Sequence, residues 1–382
     1  MYLTGLSLQN FKNYHATYFE FSPELNFFTG ENGAGKTNVL DAIHYLCLGK
    51  SYFHGNDYQA IRHGESYHRV HGNFLSDNEN FDIACVYQTG SKKELQKNNI
   101  AYSRMADHVG LIPVVMVTPD DHYLIDEGSE ERRRFMDYTL SQTDHNYLEN
   151  LVNYNRVLQQ RNALLKQCGS RTFPDPSLIE TFNDQLITFG EKIFKVRESF
   201  HKKIKPLIEK YYSIISGQSE EIFSKYISVF HLENFRSALI RSAEKDRMLQ
   251  RTTEGVHRDD FEFYMDEKLI KKFASQGQKK SFLMALKIAQ FELLKKETNK
   301  TPILLLDDLF DKLDEQRTNN ILDLLKGERF KQVFVTDTNF SRVQEYISIT
   351  KKQFKVFELQ KSVRIMNAEP AFTGQEPNNN PD

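Results

Sequence analysis

Residues 25–37 read LNFFTGENGAGKT, and this stretch decides what the rest of the chain can be. A short apolar run gives way to a glycine loop. Beyond it Val39, Leu40, Ile43, Leu46 and Cys47 recur at helical spacing. Strand, glycine loop and helix in that order form the context in which the pattern G-x-x-x-x-G-K-[ST] holds phosphate. Gly30, Glu31, Asn32, Gly33, Ala34, Gly35, Lys36 and Thr37 fill that pattern completely. The glycines let backbone N–H groups turn inward as a nest, and the helix N-terminus adds partial positive charge. Lys36 then reaches the outer phosphates and Thr37 ligates magnesium. The stretch reads as a site for ATP and Mg²⁺, against the plainer alternative of a glycine turn with a chance Lys and Thr.

Residues 303–314, ILLLDDLFDKLD, supply the second half of such a site. An apolar strand ending in Asp307 sets a carboxylate at the carboxyl edge of a sheet, so Thr37 and Asp307 are the candidate metal ligands. Asp308 is placed to orient or partly deprotonate an attacking water. Lys36, Asp307 and Asp308 are therefore the candidate catalytic residues. Taken alone, two acids closing a strand are as readily solvated or capping groups; the glycine loop far upstream gives them a purpose.

The 382-residue chain carries 50 Lys and Arg against 52 Asp and Glu, a formal net charge of -2, so any nucleic-acid surface has to be a local patch. Three widely spaced cysteines, Cys47, Cys85 and Cys168, give neither a disulfide framework nor a zinc spacing. The N-terminus lacks a secretory pattern and no apolar run has the length of a membrane span, which predicts a soluble, cytoplasmic protein without a membrane partner.

The texture of the chain divides it into four parts. Residues 1–137 read as short strands with one helix embedded, residues 138–248 as a helical arm, residues 249–366 as a return to strands and helices, and residues 367–382 as a polar, Pro- and Asn-rich disordered tail. In the arm, Tyr147, Leu151, Tyr154 and Leu158 make one stripe. Phe182, Leu186, Phe189, Ile193, Val196, Phe200, Ile204, Leu207 and Tyr211 make another, with Asp175 and Pro176 as cap and first turn. Pro206 is expected to kink or interrupt the second helix. Further on, residues 261–273 predict a hairpin around Asp266 and Glu267, residues 281–294 an amphipathic helix, and the runs at Ile303 and Gln332 two parallel strands either side of a helix. The fold class is α/β, a mixed sheet with a parallel core and an inserted helical lobe.

Residues 273–281, FASQGQKKS, place a Ser and a Gly where a helix begins, a geometry that can offer a hydroxyl and backbone N–H groups to an anion. This segment is similar to the signature of the ABC-type ATPases. With it, LSLQNFKNY at Leu6, GENGAGKTNVLDAI, TPDDHYLIDEGSEERRRFMD at Thr118, GVHRDDFEF at Gly255 and LLLDDLFDKLD, in this order, resemble the RecF family of bacterial recombination mediators over residues 1–337. That resemblance implies an ABC/SMC-type P-loop ATPase head with a helical arm and an ATP-dependent homodimer. Ser275, Gln276, Gly277 and Gln278 would contact ATP bound in the partner subunit, and Asp314 would lie in a loop crossing the dimer. It also implies DNA at gaps or junctions as ligand, gap repair, replication restart and the SOS response as setting, RecR and RecO as partners, and RecA indirectly.

Three departures from the wider ABC pattern matter. Asp308 stands where most ABC ATPases carry Glu, as it does in RecF proteins; a side chain one methylene shorter holds water less well, which predicts slow hydrolysis, and the resemblance implies a weak, DNA-stimulated ATPase that works as a switch. Thr336 and Asp337 occupy the place of the usual switch His, and Asp120 and Asp121 fall near the expected Gln loop. Val256 replaces a Pro of the RecF pattern. His257 and Arg258 could serve a phosphate or form a charge pair with Asp259 or Asp260. Lys12 and Asn13 resemble residues that approach nucleotide in SMC-type heads, or form a solvated strand end. The run EERRRF at Glu130 reads as a helix start with a solvated face. Basic clusters at His201 and Lys271, near Tyr211 and Phe273, are candidate DNA contacts, although most such runs are merely solvated.

Other readings carry distinct signatures. A head of a longer SMC or exonuclease complex calls for a longer coiled-coil insertion and a hook Cys pair. A soluble transporter ATPase brings its signature within a shorter segment, and a small-molecule kinase leaves SQGQ without a role.

Overall fold

All five residues of the run LNFFT are buried, as a strand covered on both faces requires. The computed structural model describes residues 1–76, 79–169, 175–217, 220–308, 315–359 and 363–367. Strands β1 (Tyr2–Phe11), β2 (Tyr14–Glu20) and β3 (Leu25–Thr29) lead into α1 (Lys36–Leu48). Next come β4 (Tyr67–Ser76), β5 (Glu79–Gln88), β6 (Glu94–Lys97), β7 (Ile100–Ala101) and β8 (Val114–Val117). The helices α2 (Tyr123–Asp126), α3 (Ser129–Thr143), α4 (His145–Cys168) and α5 (Pro176–Ser216) follow. The chain then forms β9 (Ile222–Ile227), α6 (Phe235–Leu249), β10 (Asp260–Met265), β11 (Lys268–Leu269), α7 (Ile270–Phe273) and α8 (Gln276–Thr298). It continues through β12 (Ile303–Leu306), α9 (Glu315–Lys326), β13 (Val333–Asp337), α10 (Phe340–Ile349), β14 (Phe354–Leu359) and β15 (Val363–Asn367).

The central sheet has the order β15-β14-β3-β13-β12-β8. Five of its strands, β14, β3, β13, β12 and the edge strand β8, are parallel, and β15 runs antiparallel to β14. Successive side chains of a strand point to opposite faces, so each apolar run feeds two cores. Leu25, Phe27, Leu304, Leu306, Val333 and Val335 join a core with α3, α4, α5 and α8. Phe28, Ile303, Leu305, Phe334 and Phe357 join a second core with α1 and the antiparallel sheet β2-β1-β4-β5-β6-β7. Parallel register then decides where the chemistry lies. Asp337 pairs with Thr29, and Leu306 pairs with Val335, so the carboxyl ends of β3, β13 and β12 share one edge.

The arm packs α4 on α5, with Asp175 capping α5 by accepting from the Ser177 N–H at 2.8 Å and Pro176 in the first turn. The helix passes through Pro206 and runs on to Ser216, contrary to the expected interruption. Proline forfeits one backbone hydrogen bond, but Ile204, Ile208, Tyr211, Tyr212 and Ile215 are buried on either side and hold the turn in place. A second correction concerns α8. It begins at Gln276 and is covered nearly all round between Ser281 and Leu294, so it is a core helix rather than an amphipathic one. The hairpin at Asp266 and Glu267 forms as expected, with both residues at positive φ (45° and 65°). The tail expected to be disordered, residues 367–382, lies outside the described residues apart from Asn367. Among the described residues no helix is long and apolar enough to cross a membrane.

Two buried arginines tie α4 and α5 to the segments before and after them, and neither was visible as such in the sequence. Arg161 donates to Asn183 Oδ1, Asp246 Oδ2 and Thr252 Oγ1 at 2.8–3.0 Å. Arg197 reaches Tyr147 Oη at 3.1 Å, Val256 O at 2.7 Å, Asp259 Oδ2 at 2.8 Å and Asp137 Oδ1 at 2.9 Å. The EERRRF segment is not simply solvated: Arg132 clamps Asp260 with two bonds at 2.7 and 3.0 Å, and Arg133 donates to Asp259 O at 2.7 Å. The charge pairs foreseen for Asp259 and Asp260 therefore exist, but with Arg197 and Arg132. His257 sits between Tyr154 Oη and Thr252 O, and Arg258 is exposed.

Removing one partner of a buried pair strands the other charge, so Arg197→Met is expected to lower unfolding free energy by about 3–5 kcal/mol in a denaturant titration. Acid should weaken the fold as well. Burial pushes His44, His68, His108 and His257 down to about 4, below their ordinary value. A histidine with a depressed folded pKa contributes stability that is full above about pH 6.5 and is lost as pH falls through about 4. Melting curves between pH 7 and 4 should show a monotonic fall in Tm of that origin, and a flat profile would contradict the assignment.

Candidate phosphate-binding site

The site is built where β3 hands over to α1. Gly30 has φ 138°, and a Cβ there would lie 2.3 Å from the carbonyl oxygen of Leu359 on β14, so only glycine fits. Gly35 has φ 103° and stands at the N-cap of α1 without a side chain to satisfy the first-turn N–H groups. Those groups and the helix dipole are what an anion can use. The loop is stitched from outside by Tyr14, whose hydroxyl donates to Gly35 O at 3.2 Å, and by Asn13, whose amide donates to Ala34 O at 3.3 Å. Lys36 is buried, and its ammonium bridges Gly30 O at 2.8 Å and Glu31 O at 3.0 Å, which aims a positive charge across the mouth of the loop.

Parallel register brings the second half to this point. Thr37 Oγ1 donates toward Asp307, with both carboxylate oxygens at 2.9 Å. Thr336 Oγ1 donates to Asp307 Oδ1 at 2.6 Å and accepts the Asp308 N–H at 3.0 Å. Asp307 is 6 % exposed; burial pushes its carboxyl above the ordinary range, Thr336 and Thr37 pull it down, and Asp308 pushes it up. A hydroxyl and a carboxylate in contact are hard oxygen donors, the set that suits Mg²⁺ when phosphate oxygens and water complete the shell. Asp308 takes φ 44°, which turns the chain out of β12 just beyond the sheet edge. Among the described residues no cluster of three or more His, Cys, Asp or Glu offers a metal site of another kind.

Ser275 is the N-cap of α8 and forms a capping box: its Oγ accepts from Gln278 N at 3.2 Å, and Gln278 Oε1 accepts from Ser275 N at 2.7 Å. The Ser275 hydroxyl proton is still available to an acceptor. Ser275 and Gln276 are exposed, Gln278 is anchored to Glu220 at 2.8 Å, and Gly277 leaves room for the Arg317 guanidinium. Among the described residues no hydrogen bond or ion pair joins Ser275, Gln276, Gly277 or Gln278 to the glycine loop. Asp314 lies outside the described residues.

The remaining candidates separate cleanly. Lys12 is not a solvated strand end, since its ammonium meets Asp41 at 2.7 Å with the carboxylate fully buried. Asp121 is buried against Lys287 and Thr118 N, whereas Asp120 is exposed. The lysines near His201 pair with acids, Lys202 with Glu198, Lys203 with Glu297 and Lys205 with Glu209, and Tyr211 is buried beneath Arg329. Phe273 beside Lys271 is 66 % exposed. Tyr14 was missed, because only the hairpin between β1 and β2 brings it to the loop.

The model of the RecF/RecN/SMC N terminal domain family matches residues 2–364. A DNA replication and repair protein RecF of Flavobacterium johnsoniae is 43% identical over 359 residues, covering 94% of this chain and 100% of that protein. A solved structure of the recombination mediator protein RecF with ATP in the RecFOR pathway superposes with a TM-score of 0.85 at 29% identity, over 96% of this chain and 97% of that one. An Smc head bound to the C-winged helix domain of ScpA superposes at 0.54 with 15% identity, covering 97% and 98%, and shows the ABC-type head fold alone.

Gly30→Ala combines a disfavoured φ with a backbone clash. It should cost about 1–3 kcal/mol of stability and lower nucleoside-triphosphate affinity at least about tenfold, read by melting and by equilibrium binding. Unchanged affinity would mean that the loop does not cradle the phosphates.

Proposed function

The chain belongs to the RecF family of DNA replication and repair proteins, and from that premise we propose that it is an ATP-operated switch that closes as a homodimer on DNA. The observation that carries this reading is the contact of Thr37 with Asp307 directly beneath the glycine loop. It supports a triphosphate held by the loop N–H groups and Lys36, with Mg²⁺ held by Thr37 and Asp307. Mg²⁺ would supply charge neutralisation at the phosphate oxygens.

The protein's own groups do the rest. Lys36 leaves its two carbonyl partners for the outer phosphates. Asp308 orients a water, and its short side chain holds that water loosely, so hydrolysis is slow and serves release. Thr336 fixes Asp307 and the Asp308 backbone, the place where a switch His stands in other ABC proteins. Ser275, Gln276, Gly277 and Gln278 present a hydroxyl and a helix N-terminus to ATP bound by a second copy. ATP stabilises the dimer only through its greater affinity for the closed state. Gapped or junction DNA as ligand, and RecR and RecO as partners in supplying RecA, belong to the same reading, which the RecFOR setting of the solved relative supports.

DNA binding is expected to be strong with ATP, weaker with ADP and lost for Lys36→Ala at both low and moderate salt. ATP-independent binding by both proteins would sink the switch. Asp308→Asn should slow hydrolysis at least about tenfold, equivalent to about 1.4 kcal/mol, while prolonging the ATP-bound dimer in light scattering.

A further inference from the structure

Lys287 lies roughly three turns along α8 from Ser275, in a helix whose composition reads as plain core. Its ammonium is buried, yet all three of its hydrogens are engaged: Asp121 Oδ1 at 2.8 Å, Met116 O at 2.8 Å and Tyr52 Oη at 3.1 Å. Those acceptors belong to different sides of the nucleotide site. Met116 sits on β8, whose partner in β12 is Leu305, two residues before Asp307. Tyr52 donates its hydroxyl to Asp121 and, through its backbone N–H, contacts Asp41 Oδ1 at 2.7 Å. Asp41 is on α1, one helical turn after Thr37, and also takes Ser51 Oγ at 2.8 Å and the Lys12 ammonium at 2.7 Å. Asn13, next to Lys12, touches the glycine loop at Ala34 O.

A single buried cation thus references the helix that carries Ser275 to both halves of the phosphate site. A buried ammonium needs an acceptor for each of its three N–H groups, and here two of those acceptors lead back to Thr37 and to Asp307, which gives the lysine the connections of a strut. We propose that Lys287, with Asp121 and Tyr52, is a positioning group that couples occupancy of the glycine loop to the placement of Ser275 through Gln278. The proposal rests on the reading of those four residues as the face offered to a second copy. Nucleotide drawn against α1 and the end of β12 shifts Asp41 and the β8 carbonyl together, and Lys287 passes that shift to α8. The pair is not part of the binding machinery, so it can be removed while the loop stays intact.

The double variant Lys287→Met, Asp121→Asn removes both charges and keeps the amide oxygen that caps Thr118 N. Tyr52→Phe removes the hydroxyl that joins Lys287 and Asp121 to the segment after α1, and keeps the backbone N–H on Asp41. Hydrogen exchange on the full chain, with ATP and Mg²⁺ at concentrations where light scattering reports monomer, reads the coupling without any dimer. In the unmodified protein ATP should slow exchange at the N-terminus of α8 at least about tenfold. The double variant should bind ATP within about twofold of the unmodified affinity yet change exchange there less than twofold, with Tyr52→Phe between the two. Equal slowing in all three proteins, or none in the unmodified protein, overturns the strut. Failure of the unmodified protein to dimerise with ATP at higher concentration instead counts against the proposed function, so the two failures are separable.

Discussion

A threonine hydroxyl on α1 meets a buried carboxylate at the end of β12, 2.9 Å away, and the molecule is arranged around keeping that contact. The contact joins residues from opposite ends of the chain. Only a parallel sheet in which β3, β13 and β12 end together can make it. Moving one strand by one residue would turn its side chains to the other core and carry Asp307 off the edge. The two apolar cores, one on each face of the sheet, are what forbid that slip.

The loop itself was legible because its chemistry is local: three glycines, a lysine and a threonine at fixed spacing carry their own geometry. Asp307 was legible because an apolar strand has to end somewhere and its end carries acids. Thr336 was placed only at the position of a switch His, since its bond to Asp307 depends on the neighbouring strand and no spacing encodes it. Arg161 and Arg197 sit among helical charges that read as solvent-facing, and only the packing of α4, α5 and the segment after α6 shows them buried. Lys287 was hidden for the opposite reason, being one polar residue in a helix covered nearly all round. In each case the missing information is long-range contact, which periodicity cannot carry.

Arg132, Arg161, Arg197 and Lys287 are all buried with carboxylate partners. Such pairs are weak evidence for stability, because desolvation offsets most of the attraction. Their directionality is the more useful property. They fix α3, α4, α5 and α8 at defined orientations.

The central claim is that one phosphate site is completed by Ser275 of a second copy. Mixing Lys36→Ala chains with Ser275→Arg chains tests it most directly, since a mixed dimer keeps one glycine loop and one α8 terminus intact and opposed. With ATP, sedimentation should find each variant alone monomeric and the mixture dimeric. Dimerisation of Ser275→Arg alone, or none in the mixture while the unmodified chain dimerises, would contradict the account.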